Sequence, residues 1–173
     1  MELFMSRTLI FGNSGSGKST LAAHIHQRDN VPHFDLDTVA WQSGSPPIRN
    51  PLPLSIKLIN NDISLQQDWV IEGCYSDLLL ELLPLATRII YLDLPQKICV
   101  KNAKNRPWEP HKYSSKQQQD ANLKMLIKWI EEYDSRNDNF SRQSHLAIYN
   151  AFSGEKIRLK DNNNDSQGAF SDK

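Results

Sequence analysis

The chain has 173 residues, and its 20 Lys and Arg balance 20 Asp and Glu, so the formal net charge at pH 7 is zero. This length favours one domain with a substantial core, and the balanced charge gives no indication of direct nucleic-acid binding. No apolar run approaches the roughly 20 residues that a membrane-spanning helix needs, and Cys74 and Cys99 lack metal-ligand spacing. We therefore expect a cytoplasmic monomer or homodimer with free thiols and no membrane partner.

Short apolar runs alternate with longer amphipathic segments, which is typical of βαβ units around a parallel sheet. The predicted strands are Arg7–Gly12, Val31–Asp35, Trp69–Gly73, Arg88–Leu94 and Lys156–Lys160. Helices are predicted to begin at Lys18, near Pro53, at Ser76 and at Pro95, and two more cover residues 115–134 and 141–152. Proline-rich loops separate these elements at residues 41–53 and 105–115, and the sequence therefore predicts an α/β fold.

A glycine-rich run lies between the first strand and the first helix, where GNSGSGKST fits the pattern G-x-x-x-x-G-K-S/T. Glycines let successive backbone N–H groups face an anion, and the following helix adds the positive end of its dipole. Lys18 is predicted to reach the β- and γ-phosphates of ATP, Ser19 to bind Mg²⁺, and Thr20 to contact the α-phosphate. The predicted nucleotide-binding residues are Gly12, Asn13, Ser14, Gly15, Ser16, Gly17, Lys18, Ser19 and Thr20.

Two carboxylates follow the second predicted strand, where Asp35 and Asp37 alternate at strand spacing. Ligands of parallel α/β sheets gather at the carboxyl ends of the strands, so both side chains are expected near the phosphates. We expect Asp35 to share Mg²⁺ with Ser19 and Asp37 to accept the proton of a substrate hydroxyl. Glu72, which ends the neighbouring strand, is the rival base, and simple capping of the next turn by the two aspartates stays open.

Five runs in this order, GNSGSGKSTLA, FDLDTVAW, WVIEGCYSDLL, IIYLDLP and NRPWEPHKYSS, carry a family resemblance. The chain resembles the small P-loop kinase superfamily of adenylate, shikimate and gluconate kinases, and most of all the adenylate kinase-related DNA topology modulation proteins. The resemblance implies a three-layer P-loop NTPase fold with a five-stranded parallel sheet, order 2-3-1-4-5, flanked by helices. It implies one domain over residues 1–160, with an acceptor-binding segment at about 38–68 and a lid at about 105–116; we expect residues 161–173 to form a disordered polar tail.

The resemblance also implies roles for single residues. It matches Asp35 and Asp37 to the Asp-x-Asp pair of shikimate-kinase-like proteins, which serves Mg²⁺ and the acceptor hydroxyl. It places Glu72 and Gly73 beside the acceptor, and it makes Arg106 of the lid the candidate that neutralises phosphoryl charge during transfer.

The acceptor side departs from the adenylate kinase pattern, because GCYSD stands where those enzymes have Gly-x-Pro-Arg. A nucleotide acceptor carries about two negative charges that need bidentate partners, and the segment 38–68 offers Arg49 and Lys57 as its cations. Trp41 lies in a proline-rich loop and is a candidate for the pocket wall, whereas we assign Trp69 and Trp129 to the core. The predicted acceptor-binding residues are Asp37, Trp41, Arg49, Gly73 and Tyr75.

These features together predict an ATP- and Mg²⁺-dependent phosphotransferase acting on a small hydroxylated acceptor. Its catalytic residues are predicted to be Lys18, Asp37 and Arg106, with Glu72 as the alternative base. Two other functions stay open: a regulatory P-loop ATPase that acts through a protein or nucleic-acid partner, and a nucleoside or adenylate-type nucleotide kinase.

Overall fold

The structure is a computed structural model that describes residues 5–44, 46–110 and 112–162. The described residues form one parallel sheet in the order β2-β3-β1-β4-β5, which confirms the predicted topology. The strands are β1 (Arg7–Gly12), β2 (His33–Asp35), β3 (Trp69–Gly73), β4 (Arg88–Leu92) and β5 (Glu155–Leu159). The central strands β3, β1 and β4 are largely apolar and buried on both faces beneath helices, whereas the edge strands β2 and β5 are half-buried or exposed.

Helices cover both faces of the sheet and begin close to their predicted positions. The first and fourth begin at the predicted residues, Lys18 and Ser76, while the third has Pro53 in its first turn, where a missing N–H costs nothing. The helices are α1 (Lys18–Asp29), α2 (Asp37–Ala40), α3 (Leu52–Ile63), α4 (Ser76–Leu82) with a 3₁₀ turn (Leu83–Leu85), α5 (Gln96–Lys104), α6 (Lys116–Glu131) and α7 (Arg142–Ala151).

The core consists of two apolar clusters, one on each face of the sheet. Leu9 and Phe11 of β1 belong to the first cluster, which the helices α3, α4 and α7 cover. Ile10 belongs to the second, which α1, α5 and α6 cover. Because successive strand residues point to opposite faces, this alternation produces the predicted three layers.

Strand register brings the candidate site residues to one edge of the sheet. Asp35 is paired with Glu72 across β2 and β3, and Phe11 is paired with Gly73 across β1 and β3. The glycine-rich loop follows β1 directly, so it and the carboxylates of β2 and β3 emerge at the same carboxyl edge.

One core assignment is wrong. Trp69 is 1% exposed and lies in the core, but Trp129 on α6 is 36% exposed. The indole of Trp129 packs against Phe140 and beneath the guanidinium of Arg136, whose Cζ lies 3.5 Å from the ring centroid. A cation–π contact at the surface therefore replaces burial under another helix. In the part of the chain that the structure describes, no helix is long and apolar enough to cross a membrane.

Candidate functional site

The glycine-rich loop ends on a helix start that no side chain caps. Gly17 precedes α1 with φ 94°, and no side-chain hydrogen bond satisfies the first N–H groups of that helix. Gly15 has φ 74°, and a Cβ there would lie 2.5 Å from the carbonyl oxygen of Cys99. Lys18 folds back over the loop, where its Nζ donates to the Asn13 carbonyl at 2.8 Å. This geometry suits a phosphate group that accepts from the N–H groups and Lys18.

The side chains of two predicted nucleotide-binding residues are buried. The Asn13 side chain is 3% exposed, and its Nδ2 donates to the Ile130 carbonyl of α6 at 3.1 Å. The Ser16 hydroxyl is buried and has no hydrogen-bond partner among the described residues. The Asn13 amide therefore anchors the loop to α6.

A cavity of about 620 Å³ adjoins the loop, a volume typical of small-molecule and cofactor sites. Its walls come from the loop, the end of α5, the segment 105–112 and the residues that follow β5. Three cations, Lys18, Arg106 and Lys112, line it together with the carboxylates of Glu109 and Asp161, so the lining carries a net positive charge. A cavity with this charge beside a free helix start suits a polyphosphate.

Glu72 lies against the hydroxyl of Ser19, the serine that follows Lys18 in the glycine-rich motif. Its Oε1 accepts a hydrogen bond from the Ser19 hydroxyl at 2.6 Å and lies 3.9 Å from Nε2 of His33. Burial works to raise the pKa of Glu72, but the nearby His33 imidazole, the charge of Lys18 and the hydrogen bond from Ser19 together lower it. An ionised carboxylate thus lies next to the Ser19 hydroxyl, and the role of Glu72 as the rival base stays a prediction.

The Asp35 side chain closes the turn that leads into the short helix α2. Its Oδ1 accepts from the backbone N–H of Asp37 at 2.8 Å, so the capping interpretation holds for this residue. Burial, reinforced by the charges of Asp37 and Glu72, raises the pKa of Asp35 to about 6. Its second oxygen, Oδ2, lies 3.9 Å from Nζ of Lys112. That oxygen is not used by the cap and is available to a cation.

Asp37 is oriented by a relay of two aromatic side chains. Trp41 Nε1 donates to the Tyr75 hydroxyl at 2.7 Å, and that hydroxyl donates to Asp37 Oδ1 at 2.5 Å. The pKa of Asp37 is lowered although burial opposes this, because Lys112 and the Tyr75 hydroxyl favour the ionised form. Trp41 and Tyr75, predicted to line an acceptor pocket, thus hold this carboxylate in place.

Arg49 and Gly73, the other predicted acceptor residues, have structural partners. The Arg49 guanidinium lies 4.6 Å from the Tyr75 ring centroid, and its Nη2 donates to Asp77 at 2.9 Å. Its Nη1 is buried and has no partner in the described residues. A Cβ on Gly73 would lie 2.8 Å from the Leu36 side chain, so packing requires glycine there.

Lys112 joins the segment predicted as a lid to both aspartates, and the sequence analysis missed it. Its Nζ lies 3.3 Å from Asp37 Oδ2 and 3.7 Å from Glu109, and the same side chain lines the phosphate cavity. Arg106, the predicted lid cation, pairs with Glu109 at 3.0 Å. In the sequence, Lys112 is recognisable as a lysine in a proline-rich loop. That local context does not indicate a contact with Asp37, which lies more than seventy positions away.

The fold is shared with small P-loop kinases. A gluconokinase from Sinorhizobium meliloti 1021 superimposes with a TM-score of 0.53 and 14% identity, covering 95% of this chain and 87% of that one. A shikimate kinase from Bacteroides thetaiotaomicron superimposes with a TM-score of 0.51 and 15% identity, covering 89% and 86%. At this identity the likeness establishes the fold, and it confirms the P-loop architecture that the sequence predicts.

By sequence, the chain is 26% identical over 131 residues to the uncharacterized protein YqaC of Bacillus subtilis (strain 168). That match covers 73% of this chain and 71% of YqaC. No protein-family model matches the chain. The residues of the site, rather than a relative, therefore carry the functional argument.

Proposed function

We propose that this protein is an ATP- and Mg²⁺-dependent kinase that phosphorylates a hydroxyl group of a small acceptor. One observation carries the proposal: Lys112 lines the phosphate cavity together with Lys18, and it also contacts Asp37. A carboxylate oriented for an acceptor hydroxyl thus lies one lysine side chain away from the phosphate loop. Phosphoryl transfer needs these two sites adjacent, because the attacking and leaving oxygens stand roughly in line.

The donor set fits Mg²⁺, which prefers oxygen ligands and keeps several waters. Ser19, Glu72 and Asp35 would hold it, the first two through oxygens already 2.6 Å apart. Among the described residues no cluster of three or more His, Cys, Asp or Glu forms a metal cage, and a kinase site does not require one, because substrate phosphates complete the shell. When bound, Mg²⁺ neutralises charge on the β- and γ-phosphates.

Asp37 would orient the acceptor hydroxyl and take its proton. The Tyr75 hydroxyl occupies Oδ1, so Oδ2 faces the reacting group, and the Lys112 ammonium would pass from that oxygen to the transferring phosphoryl group. Because the transition state of phosphoryl transfer is loose, positioning by the Trp41–Tyr75 relay contributes alongside proton transfer.

A small hydroxylated acceptor suits the acceptor side better than a nucleotide. Arg49 is already paired with Asp77 and stacked on Tyr75, which leaves few cations for a second phosphate. The names of the two structural neighbours, a gluconokinase and a shikimate kinase, support acceptors of this size.

The test is ATP consumption measured with and without a panel of sugars, sugar acids, polyols and nucleosides. We expect almost no ATP consumption without an acceptor and clear ATP consumption with one class of alcohol. Lys18→Ala should abolish turnover, and Asp37→Asn should lower it by about 10²–10⁴-fold with ATP affinity intact. Glu72→Gln should instead raise the Mg²⁺ concentration required, and the exposed Glu81→Gln is the control.

Three outcomes would contradict this assignment. Equal ATP turnover with and without every acceptor would favour the regulatory ATPase. A folded Lys18→Ala protein with unchanged turnover would remove the P-loop from the chemistry. Normal phosphoryl transfer by Asp37→Asn, together with a large loss of transfer by Glu72→Gln at saturating Mg²⁺, would identify Glu72 as the base.

A further inference from the structure

Two asparagine carboxamides hold the backbone of the phosphate loop from outside. Asn102 of α5 donates from Nδ2 to the Gly15 carbonyl at 2.8 Å and to Oδ1 of Asn162 at 2.9 Å. Asn162, which follows β5, donates from its own Nδ2 to the Ser16 carbonyl at 3.1 Å. Residues distant in sequence thus form one hydrogen-bonded unit on consecutive loop carbonyls, and we call Asn102 and Asn162 the carboxamide clasp.

The clasp fixes the direction of the loop's N–H groups. A trans peptide unit is planar, so a carbonyl held on one side directs the next residue's N–H to the other. Holding the Gly15 carbonyl fixes the N–H of Ser16, which donates to the Asn13 carbonyl at 3.3 Å, and holding the Ser16 carbonyl fixes the N–H of Gly17. Gly15 and Gly17 have positive φ, and glycine backbones lose the most freedom on ordering.

We propose that Asn102 and Asn162 are positioning residues that preorganise the loop for a polyphosphate, which makes the segment after β5 part of the nucleotide site. A preformed set of donors binds an anion more tightly because ordering costs are met before binding. This rests on the phosphate-binding part of the proposed function and is independent of transfer to an acceptor.

The two residues contribute unequally. Asn102 contacts the loop and also orients Asn162, so its removal undoes both carbonyl contacts. Removal of Asn162 undoes the Ser16 contact and leaves the Gly15 contact in place. This inequality distinguishes a connected unit from two separate surface contacts, because the losses of binding free energy from two separate contacts would add.

The experiment is calorimetric titration with inorganic tripolyphosphate and, separately, with ATP, both in Mg²⁺. Relative to wild type, Asn162→Ala should weaken both ligands by about fivefold and Asn102→Ala by about tenfold or more. The double variant should match Asn102→Ala. The exposed helix residue Asn150→Ala is the matched control and should bind as wild type does. Without ligand, hydrogen exchange at the amides of Ser16 and Gly17 should quicken in the clasp variants, while the α3 and α7 amides stay protected.

Both clasp residues also line the cavity, so contact with the base is the competing explanation. Weaker ATP binding with unchanged tripolyphosphate binding would assign them to the base and overturn the proposal. Unchanged binding of both ligands, or faster exchange throughout the protein, would overturn it too, as would a wild-type protein that binds neither ligand. Wild-type tripolyphosphate binding without transfer to any acceptor would defeat the proposed kinase function and leave the clasp standing.

Discussion

Asp35 and Asp37 stand two positions apart, yet their surroundings shift their pKa values in opposite directions. Burial and the neighbouring carboxylates raise the pKa of Asp35 to about 6, whereas Lys112 and Tyr75 lower that of Asp37. Near neutral pH the first therefore approaches its titration range while the second stays ionised. Groups with opposed shifts at one site are typical of functional clusters, because each environment serves a different task.

At the scale of single residues, the charge of Asp35 lowers the free energy of unfolding. A carboxyl group whose pKa is higher in the folded than in the unfolded protein destabilises the fold above its folded pKa, and the cost vanishes below the unfolded pKa. Asp35→Asn keeps the oxygen that accepts from the Asp37 N–H but removes the charge. We expect it to raise the free energy of unfolding by about 1–2 kcal/mol at pH 7.5.

Urea unfolding at several pH values tests this. The advantage of Asp35→Asn over wild type should narrow as pH falls through about 6 and disappear below about 4, where both chains are neutral at this position. Asp62→Asn on the exposed face of α3 is the control. An advantage that does not change with pH would mean that charge is not its origin.

At the scale of elements, α6 connects the lid to the phosphate loop. Near its start, Gln119 accepts from the N–H of Glu109 at 2.9 Å and donates to the Pro107 carbonyl at 3.0 Å. Near its end, Ile130 accepts from the Asn13 side chain. One helix therefore contacts both the glycine-rich loop and the loop that carries Arg106 and Lys112.

Lys112 fastens that lid to the aspartates across the site. We expect Lys112→Ala to remove the contact with Asp37, so amides 106–115 should exchange faster without nucleotide. A non-hydrolysable ATP analogue should restore less protection than in wild type, because the lid loses one of its cations. Hydrogen exchange by mass spectrometry measures both effects, with the exposed Lys116→Ala as control.

Identical lid protection in Lys112→Ala and wild type, with and without the analogue, would contradict this role. Protection lost equally in Lys116→Ala would place the effect in α6 itself rather than in the contact across the site.

At the scale of the whole molecule, a buried polar chain links the sheet to α7 and the segment after α6. The Tyr133 hydroxyl contacts Nδ1 of His145 at 2.7 Å, and Nε2 of His145 lies 2.9 Å from the Cys74 carbonyl. Because a carbonyl only accepts, Nε2 carries the proton, and Tyr133 donates to Nδ1 of the neutral ring. Tyr91 extends the chain toward Asp93, which Arg142 and Arg158 hold with a pKa of about 2.

Burial lowers the pKa of His145 to about 4, well below its unfolded value. The unfolded chain binds this proton first as pH falls below about 6.5, so the contribution of His145 to stability declines between about pH 6.5 and 4. We expect His145→Gln to be less stable than wild type at pH 7.5 and to lose about 1–2 kcal/mol less on acidification to pH 5.

Denaturant unfolding at the two pH values measures this difference, and the exposed His24→Gln should keep the wild-type pH dependence. The same acid sensitivity in His145→Gln and wild type would show that other groups govern the decline.

Local sequence determined the features that depend on neighbouring residues. The run from Gly12 to Ser19 specifies the phosphate loop because glycine spacing and the strand before it set the backbone locally. Apolar runs of strand length placed the central strands β1, β3 and β4, since two buried faces leave few polar positions, and the short runs before and after them placed the edge strands β2 and β5. Strand ends shifted by two residues at most, as with β2, which begins at His33 rather than Val31.

Tertiary structure decided which distant side chains meet. Glu72 lies against Ser19, Lys112 lies between the phosphate cavity and Asp37, and Asn162 of the predicted tail holds the Ser16 carbonyl. The rest of that tail, residues 163–173, lies outside the described residues. Helical periodicity likewise put Trp129 on an apolar face without showing that no helix covers it. Such contacts depend on how loops close across a finished sheet, and no local propensity encodes a partner tens of residues away.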